Sequence, residues 1–297
     1  MPLSSLLKLF GLAAIWGGSF LFMRIAAPVL GPVLLIELRV GLAAVFLLGL
    51  ALLWKKTLDI KADWKHFVIL GLFNTAVPFL LFAWAAKSLP ASLMSVLNAT
   101  TPIWGAIFGA IWMRNRLSVK TIIGLALGVS GVAVLVGLDG AHLSPLALLG
   151  VGAGLIAAAC YAIAALYSKV AKSVDAFSNA HGSMWAATLM VLPAAPFFPA
   201  AAMPDVWVMI CVAMLGIVCS GIAYILYFKL IDEVGAASAT TVTFLVPIFG
   251  TLWGSLVLHE HVGLVSLVGG ALIIAGVALI TGFSPSALMK RRAVTAE

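Results

Sequence analysis

The sequence predicts an all-α membrane protein: ten transmembrane helices forming two inverted five-helix repeats around a central cavity. Three observations predict it. The chain of 297 residues is 64% hydrophobic and only 9% charged, whereas a soluble domain carries roughly 25% charged residues. Its apolar runs are each about 20 residues, the length that crosses a bilayer as a helix, and they lack the alternation of a membrane β-barrel. Its two halves match each other at a fixed offset of 145 residues.

The spans fall at 4–26, 32–54, 66–86, 91–113, 118–138, 147–168, 178–199, 206–229, 235–258 and 262–282. They use almost the whole chain and leave no room for a soluble domain. The first is longer than a signal-peptide core and carries Arg24 near its far end, against the pattern of a cleaved leader. Cys160, Cys211 and Cys219 all fall inside spans, so they are small apolar packing residues rather than a disulfide framework.

With the N-terminus in the cytoplasm, fourteen of the 17 Lys and Arg fall in cytoplasmic segments. Only Arg24 and Lys87 lie outside, and Arg39 lies within a span. The positive-inside rule therefore puts both termini, including the basic tail 283–297, in the cytoplasm. The basic balance then reports topology and contact with anionic lipid, not a nucleic-acid partner.

The internal match is carried by Pro and Gly, residues that chance alignment of apolar helices would not pair. Pro102 meets Pro247, Gly105 meets Gly250, Gly109 meets Gly254, Gly124 meets Gly269, and Gly131-Val132-Ala133 meets Gly276-Val277-Ala278. Residues 4–138 and 147–282 are thus two repeats. Five is odd, so the second repeat enters the membrane inverted, an architecture of secondary transporters that place their site at the midplane. The alternative is a gene duplication with no functional meaning.

Within the repeat, Pro102 and Pro247 have no N–H and crowd the carbonyls of Asn98 and Thr243. Asn98, Pro102, Gly105 and Gly109 share one helix face, as do Thr243, Pro247, Gly250 and Gly254. The Gly pairs read as small-xxx-small packing seams. The prolines read either as hinges that offer carbonyls to a substrate ammonium or as fixed kinks filled by a neighbouring helix.

Candidate site residues follow from charge and aromaticity inside spans. Arg39 is either an anchor for a substrate carboxylate or a side chain that snorkels to headgroups. Glu37 and Arg39, two residues apart, point to different faces and make no obvious ion pair. Glu37 and His181 are the proton-coupling candidates, with a structural His181 as the alternative. Trp16 and Tyr161 are partners across the repeat, as are Phe79 and Tyr224, and Phe82 and Tyr227; Trp185 lies one turn from His181. These rings read as the wall of a substrate cavity, or as core packing and interface belts.

There is no P-loop, so ATP is not the driving force, and no metal-spaced cluster or cofactor motif. The segment LHEH (258–261) is too short for a zinc motif and is placed in a cytoplasmic loop.

The chain resembles the EamA-type, ten-helix members of the drug/metabolite transporter superfamily. WGGSF (16–20), LRVGLA (38–43), the P…G…G pattern closing each half and the following Gly-Val-Ala helix carry the resemblance, which covers nearly the full length. Glu260 matches the glutamate that the family often carries before its last helix; the first half has Asn115 there, a departure, and Glu260 is given no transport role. Within the superfamily the chain looks most like bacterial amino-acid and metabolite exporters of the YddG type. The resemblance implies a bacterial inner-membrane protein that is not an enzyme. It would export amino acids, aromatic ones included, and related metabolites by alternating access with broad specificity. Another metabolite class, such as a nucleotide-sugar or cationic drug, is the runner-up. An intramembrane enzyme is a further alternative, although Glu37, Arg39 and His181 are too scattered for a catalytic cluster. A non-transporting scaffold is disfavoured by the Pro-Gly symmetry.

Overall fold

A computed structural model describes residues 2–114, 117–137, 144–171, 174–235, 239 and 241–282. The tail 283–297 and Asn115 lie outside the described residues. The described chain is all helix, in ten rods. They are α1 (Leu3–Leu30), α2 (Pro32–Leu53), α3 (Ile60–Ala85), α4a and α4b (Ala91–Asn98 and Thr101–Met113), α5 (Val119–Gly137), α6 (Pro145–Val170), α7 (Ala176–Val191), α8 (Val206–Val234), α9 (Val242–Leu258) and α10 (Leu264–Thr281). Seven rods are long and apolar enough to cross a membrane, and α5 and α9 are shorter apolar helices. The sixteen-residue α7 is the most polar in sequence, with Ser178, Asn179, His181, Ser183 and Thr188 along it.

Local chemistry sets the ends. Asp59, Ser144, Asp175 and Asp205 cap α3, α6, α7 and α8, each accepting a backbone N–H from the first turn. Pro32 and Pro145 start α2 and α6, where a missing N–H removes no helical bond. Gly31, Gly235 and Gly282 end α1, α8 and α10 at positive φ, where a side chain would be strained.

The two proline helices differ. The rod of α4 breaks at Ala99–Thr100 and restarts with Pro102 in its first turn. The loosened carbonyls find donors within the break: Thr100 Oγ1 donates to the Leu97 carbonyl at 2.7 Å and Thr101 Oγ1 to the Asn98 carbonyl at 2.8 Å. The Asn98 carbonyl is therefore already partnered, a correction to its expected role as an open acceptor. The equivalents of Thr100 and Thr101 at the 145-residue offset are Leu245 and Val246, which have no hydroxyl. There α9 runs unbroken through a buried Pro247.

Helix contacts repeat under the same offset. The pairs α5–α10, α2–α7 and α4–α9 map onto themselves, α1–α9 maps onto α6–α4, α3–α6 onto α8–α1, and α2–α8 onto α7–α3; all are contacts. At the α5–α10 seam, a Cβ on Gly124 would lie 2.6 Å from the Gly276 carbonyl, and one on Gly269 2.9 Å from that of Gly131. These contacts exchange when each glycine is replaced by its partner, and they require α5 and α10 to run antiparallel. Both α3 and α8 also carry a π-helical segment, Gly71–Ala76 and Met214–Ile222. The segment ends of α4b and α9 fall on left-handed Arg114 and His259, again 145 apart.

The packing seam expected at Gly105/Gly109 is not there. Nothing lies within 4 Å of a Cβ built on Gly105, and one on Gly109 would make only an ordinary 3.7 Å contact with Leu166. The second-half pair is tight, but for two different reasons. Gly250 packs on Ser95 of α4a, and Gly254 makes room for the Glu260 carboxylate. That carboxylate accepts the Ala91 N–H at 2.7 Å, the Ser92 N–H at 3.1 Å and the Ser92 hydroxyl at 2.8 Å, capping α4a from a different helix pair. Residues 259–261 therefore stand beside Ala91. Arg24, at the far end of α1 from Lys8, donates to the neighbouring Ala86 carbonyl. The opposite end of α1 is tied by Lys8 and Ser5 to Glu233. The loop expected on the cytoplasmic side thus lies at the end of the bundle opposite Lys8.

Candidate functional site

The π segments position the centre of the site. A π turn displaces the helical register and presents polar side chains where an α-helix would bury its own bonds, which is why such turns recur at functional sites. Ser220 in the α8 segment and Thr75 in the α3 segment are both fully buried, and they are equivalents at the 145-residue offset. Ser220 accepts from Arg39 Nε at 2.9 Å. Thr75 Oγ1 has no hydrogen-bond partner among the described residues. The equivalent of Arg39 is Met184, which has nothing to donate. The repeat thus holds one cationic centre, not two.

Arg39 is 4% exposed. The snorkelling alternative is thereby set aside: the guanidinium points into the bundle. Its carbon sits 3.7 Å over the Phe79 ring, and Nη1 lies 3.7 Å from Met23 Sδ. No described carboxylate is within ion-pairing distance of it; Lys8–Glu233 and Lys56–Asp175 are the salt bridges between described residues. Arg39 is thus a buried cation held by a hydroxyl, a thioether and a ring face.

Around it the structure gathers most of the predicted rings. Trp16 meets Tyr227 at 5.4 Å and Tyr224 at 6.3 Å between ring centroids. Phe82 stacks on Tyr161 at 6.4 Å and meets Phe20 edge-on at 5.3 Å. Asn74, also in the α3 π segment, donates to the Tyr224 hydroxyl at 3.1 Å. Trp16, Asn74, Tyr161, Tyr224 and Tyr227 are half-buried although they belong to interior faces of α1, α3, α6 and α8.

Other predicted site residues lie elsewhere. Trp185 donates its indole N–H to His181 Nε2 at 2.9 Å, so that nitrogen is an acceptor. A proton placed there would face a donor-only indole, which argues against His181 as the proton carrier. Its Nδ1 is buried with no hydrogen-bond partner among the described residues. Glu37 lies along α2 toward Gly41: its Oε1 and the Thr188 methyl of α7 both lie about 4 Å from a Cβ built on Gly41. Its Oε2 is buried with no hydrogen-bond partner among the described residues, and it makes no ion pair with Arg39. Asn98 sits at the α4 break, and Thr243 lies one turn before Pro247 in α9. A cavity of about 290 Å³ lies near them, between α4a, α5, α9 and α10, lined by Ser92, Val96, Pro247, Thr251 and Gly270. It is separate from the Arg39 cluster.

Sequence reasoning missed Ser220, Asn74, Met23 and the capping role of Glu260. The pairing of Thr75 with Ser220 at the repeat offset was the available signal for the first; Met23 carried none.

Two segments of the chain, 3–137 and 148–282, each match the EamA-like transporter family. The chain belongs to the EamA-like transporter family. The two matches are themselves 145 residues apart. The transporter is 24% identical over 281 residues to "Uncharacterized transporter YoaV" of Bacillus subtilis (strain 168), covering 93% of this chain and 96% of that one. A "Probable terminal-alkyne amino-acid exporter" of Streptantibioticus cattleyicolor is 29% identical over 205 residues, 67% of each chain. Among solved structures, a crystal structure is similar with TM-score 0.65 at 21% identity, covering 94% of this chain and 98% of that one, a likeness of fold. The family and these relatives are transporters, not enzymes.

Proposed function

We propose that the transporter exports amino acids, aromatic ones included, and related small metabolites. It would do so by alternating access between two inverted five-helix halves in a bacterial inner membrane, with both termini cytoplasmic. One observation carries the substrate reading: Arg39 is a buried cation with no carboxylate partner among the described residues, set among Trp16, Phe79, Tyr161, Tyr224 and Tyr227. A charge buried in low dielectric needs an opposite charge, and a substrate carboxylate supplies one. The rings suit an apolar side chain. The name of the Streptantibioticus relative agrees with a carboxylate-bearing solute.

The inverted arrangement is supported by the antiparallel glycine seam between α5 and α10 and by the double family match. Glu37 is the better proton candidate, because its Oε2 is buried and unpartnered while His181 Nε2 is held by Trp185.

The test is uptake of radiolabelled amino acids into proteoliposomes of purified protein, with and without an imposed pH gradient. Uptake above empty liposomes, competed by several amino acids and lost in Arg39→Gln, is expected. Gradient dependence that disappears in Glu37→Gln is expected if protons couple through Glu37. No uptake of any amino acid by folded protein would refute the substrate reading.

A further inference from the structure

We propose that the Arg39 site reads a carboxylate and an apolar or aromatic body but gives no counter-charge to an α-ammonium. The transporter would then accept anionic carboxylates without a free amino group, the deaminated or N-acylated counterparts of amino acids, in preference to the zwitterions. This rests on the reading that Arg39 holds the substrate carboxylate.

The argument is a charge inventory. A carboxylate entering the site neutralises the one cation there. A zwitterion brings an ammonium as well, and that ammonium needs an acid. Of the 10 acidic residues, Asp139 and Glu297 lie outside the described residues. Seven of the remaining eight stand at helix ends. Asp59, Asp175 and Asp205 are N-caps, Asp63 is in the first turn of α3, Asp232 and Glu233 are at the end of α8, and Glu260 caps α4a.

The eighth, Glu37, is two residues from Arg39, so the two side chains leave α2 on different faces; Glu37 lies toward Gly41, a position that Thr188 of α7 also approaches, whereas Arg39 meets Met23, Phe79 and Ser220 on α1, α3 and α8. Ring faces offer an ammonium cation–π attraction, which is weaker than the desolvation that a second buried cation suffers. The Phe79 face is in any case occupied by Arg39 itself.

What surrounds Arg39 besides rings is neutral. The Ser220 hydroxyl accepts from Arg39, and the Asn74 amide donates to the Tyr224 hydroxyl; none of these three groups carries a charge. Such groups suit an amide or a keto oxygen as well as they suit nothing at all, and an acyl-blocked nitrogen brings no charge to bury.

The experiment uses one phenyl frame with four charge patterns. Ligands are 3-phenylpropionate, N-acetylphenylalanine, phenylalanine and phenethylamine, and the readouts are thermal stabilisation of the purified full chain and competition for transport in proteoliposomes. The two anions are expected to bind at least about tenfold tighter than phenylalanine, with phenethylamine the weakest. Phenylalanine binding as tightly as 3-phenylpropionate, with phenethylamine still weak, would overturn this inference and leave the carboxylate reading standing. Phenethylamine binding as tightly as the anions, or none of the four binding, would overturn both. The series on the unmodified protein decides the matter even where Arg39→Gln does not fold. Ser220→Ala, which keeps the charge, is expected to weaken the two anions and to leave phenethylamine unchanged; equal loss across all four ligands would count against the site.

Discussion

A guanidinium brings five N–H donors and a charge that does not titrate away, so its burial must be answered by its surroundings. Arg39 is 4% exposed and has one good acceptor, Ser220 Oγ at 2.9 Å, one weak one, Met23 Sδ, and a ring face. Arg39→Lys should not restore function: an ammonium is a compact point charge without the planar fork that reaches Ser220 while its carbon sits over the Phe79 ring. Transport by Arg39→Lys should fall at least about tenfold, close to Arg39→Gln, in the proteoliposome assay. Normal transport by the lysine variant would mean that only charge matters. Trp16→Ala and Tyr224→Ala should each cut transport several-fold while leaving folded yield intact, and unchanged flux in both would remove the aromatic wall from the site. These rings and Arg39 were legible in the sequence because charge inside a span and aromatics paired across a repeat are rare. Asn74 was not, because a single amide in an apolar run has no periodic signature and acquires meaning only when α8 packs beside it, and Ser220 was legible only through its offset partner Thr75.

Spans four and nine carry the same Pro and Gly letters, and the sequence alone treats them as twins. Their difference lies in Thr100 and Thr101 against Leu245 and Val246: hydroxyls partner the freed carbonyls and let α4 break, and without them α9 stays continuous. Gly254 likewise reads as a helix-packing residue until Glu260 is seen in the space that a Cβ would fill. Charge-assisted bonds to the first amides of a helix are among the stronger capping arrangements. Glu260→Ala should lower stability by about 1–3 kcal/mol, read by thermal unfolding in detergent. Gly254→Ala should displace the same carboxylate, so Gly254→Ala/Glu260→Ala should cost clearly less than the sum of the singles; strict additivity would break the link between them. A second cap is pH-dependent. Partial burial raises the Asp175 carboxyl, but hydrogen bonds from the Ser178 hydroxyl and amide and the charge of nearby Lys56 outweigh it and hold the group below its usual range. A depressed folded value stabilises above the unfolded one, about 4, and that gain is lost as pH falls through the folded value. Asp175→Ala should therefore cost about 1 kcal/mol near neutrality, with the gap to the parent protein narrowing only as the solution becomes acidic. A gap that widens on acidification would contradict the assignment.

At the scale of the whole molecule, the 145-residue offset was legible from Pro and Gly alone, since these residues mark backbone requirements and not mere apolarity. The paired π segments were not legible, because a π turn shifts the helix face by one residue of register and a span that is apolar on nearly all sides has no amphipathic phase to show the shift. The seam between α5 and α10 is where the two halves meet most directly. The two backbones approach closely there: a Cβ on Gly131 would lie 2.7 Å from the Gly269 carbonyl, and one on Gly276 2.5 Å from that of Gly124, with the side chains of Leu135, Ile273 and Ile280 packed beside the glycines. Each of the four glycines meets backbone, which cannot rotate away as a side chain can, so an added methyl must separate two helices. Overpacking of this kind costs about 1–3 kcal/mol. If the halves are related by exchange, the cost should follow the relation. Gly124→Ala and its equivalent Gly269→Ala should lower the unfolding temperature by similar amounts, as should Gly131→Ala and Gly276→Ala, and each should cost more than Gly105→Ala, which adds its methyl to open space. Thermal unfolding of the five variants in one detergent compares them directly. A large loss at Gly105 with little at the seam would mean that the halves are held together somewhere other than along α5 and α10.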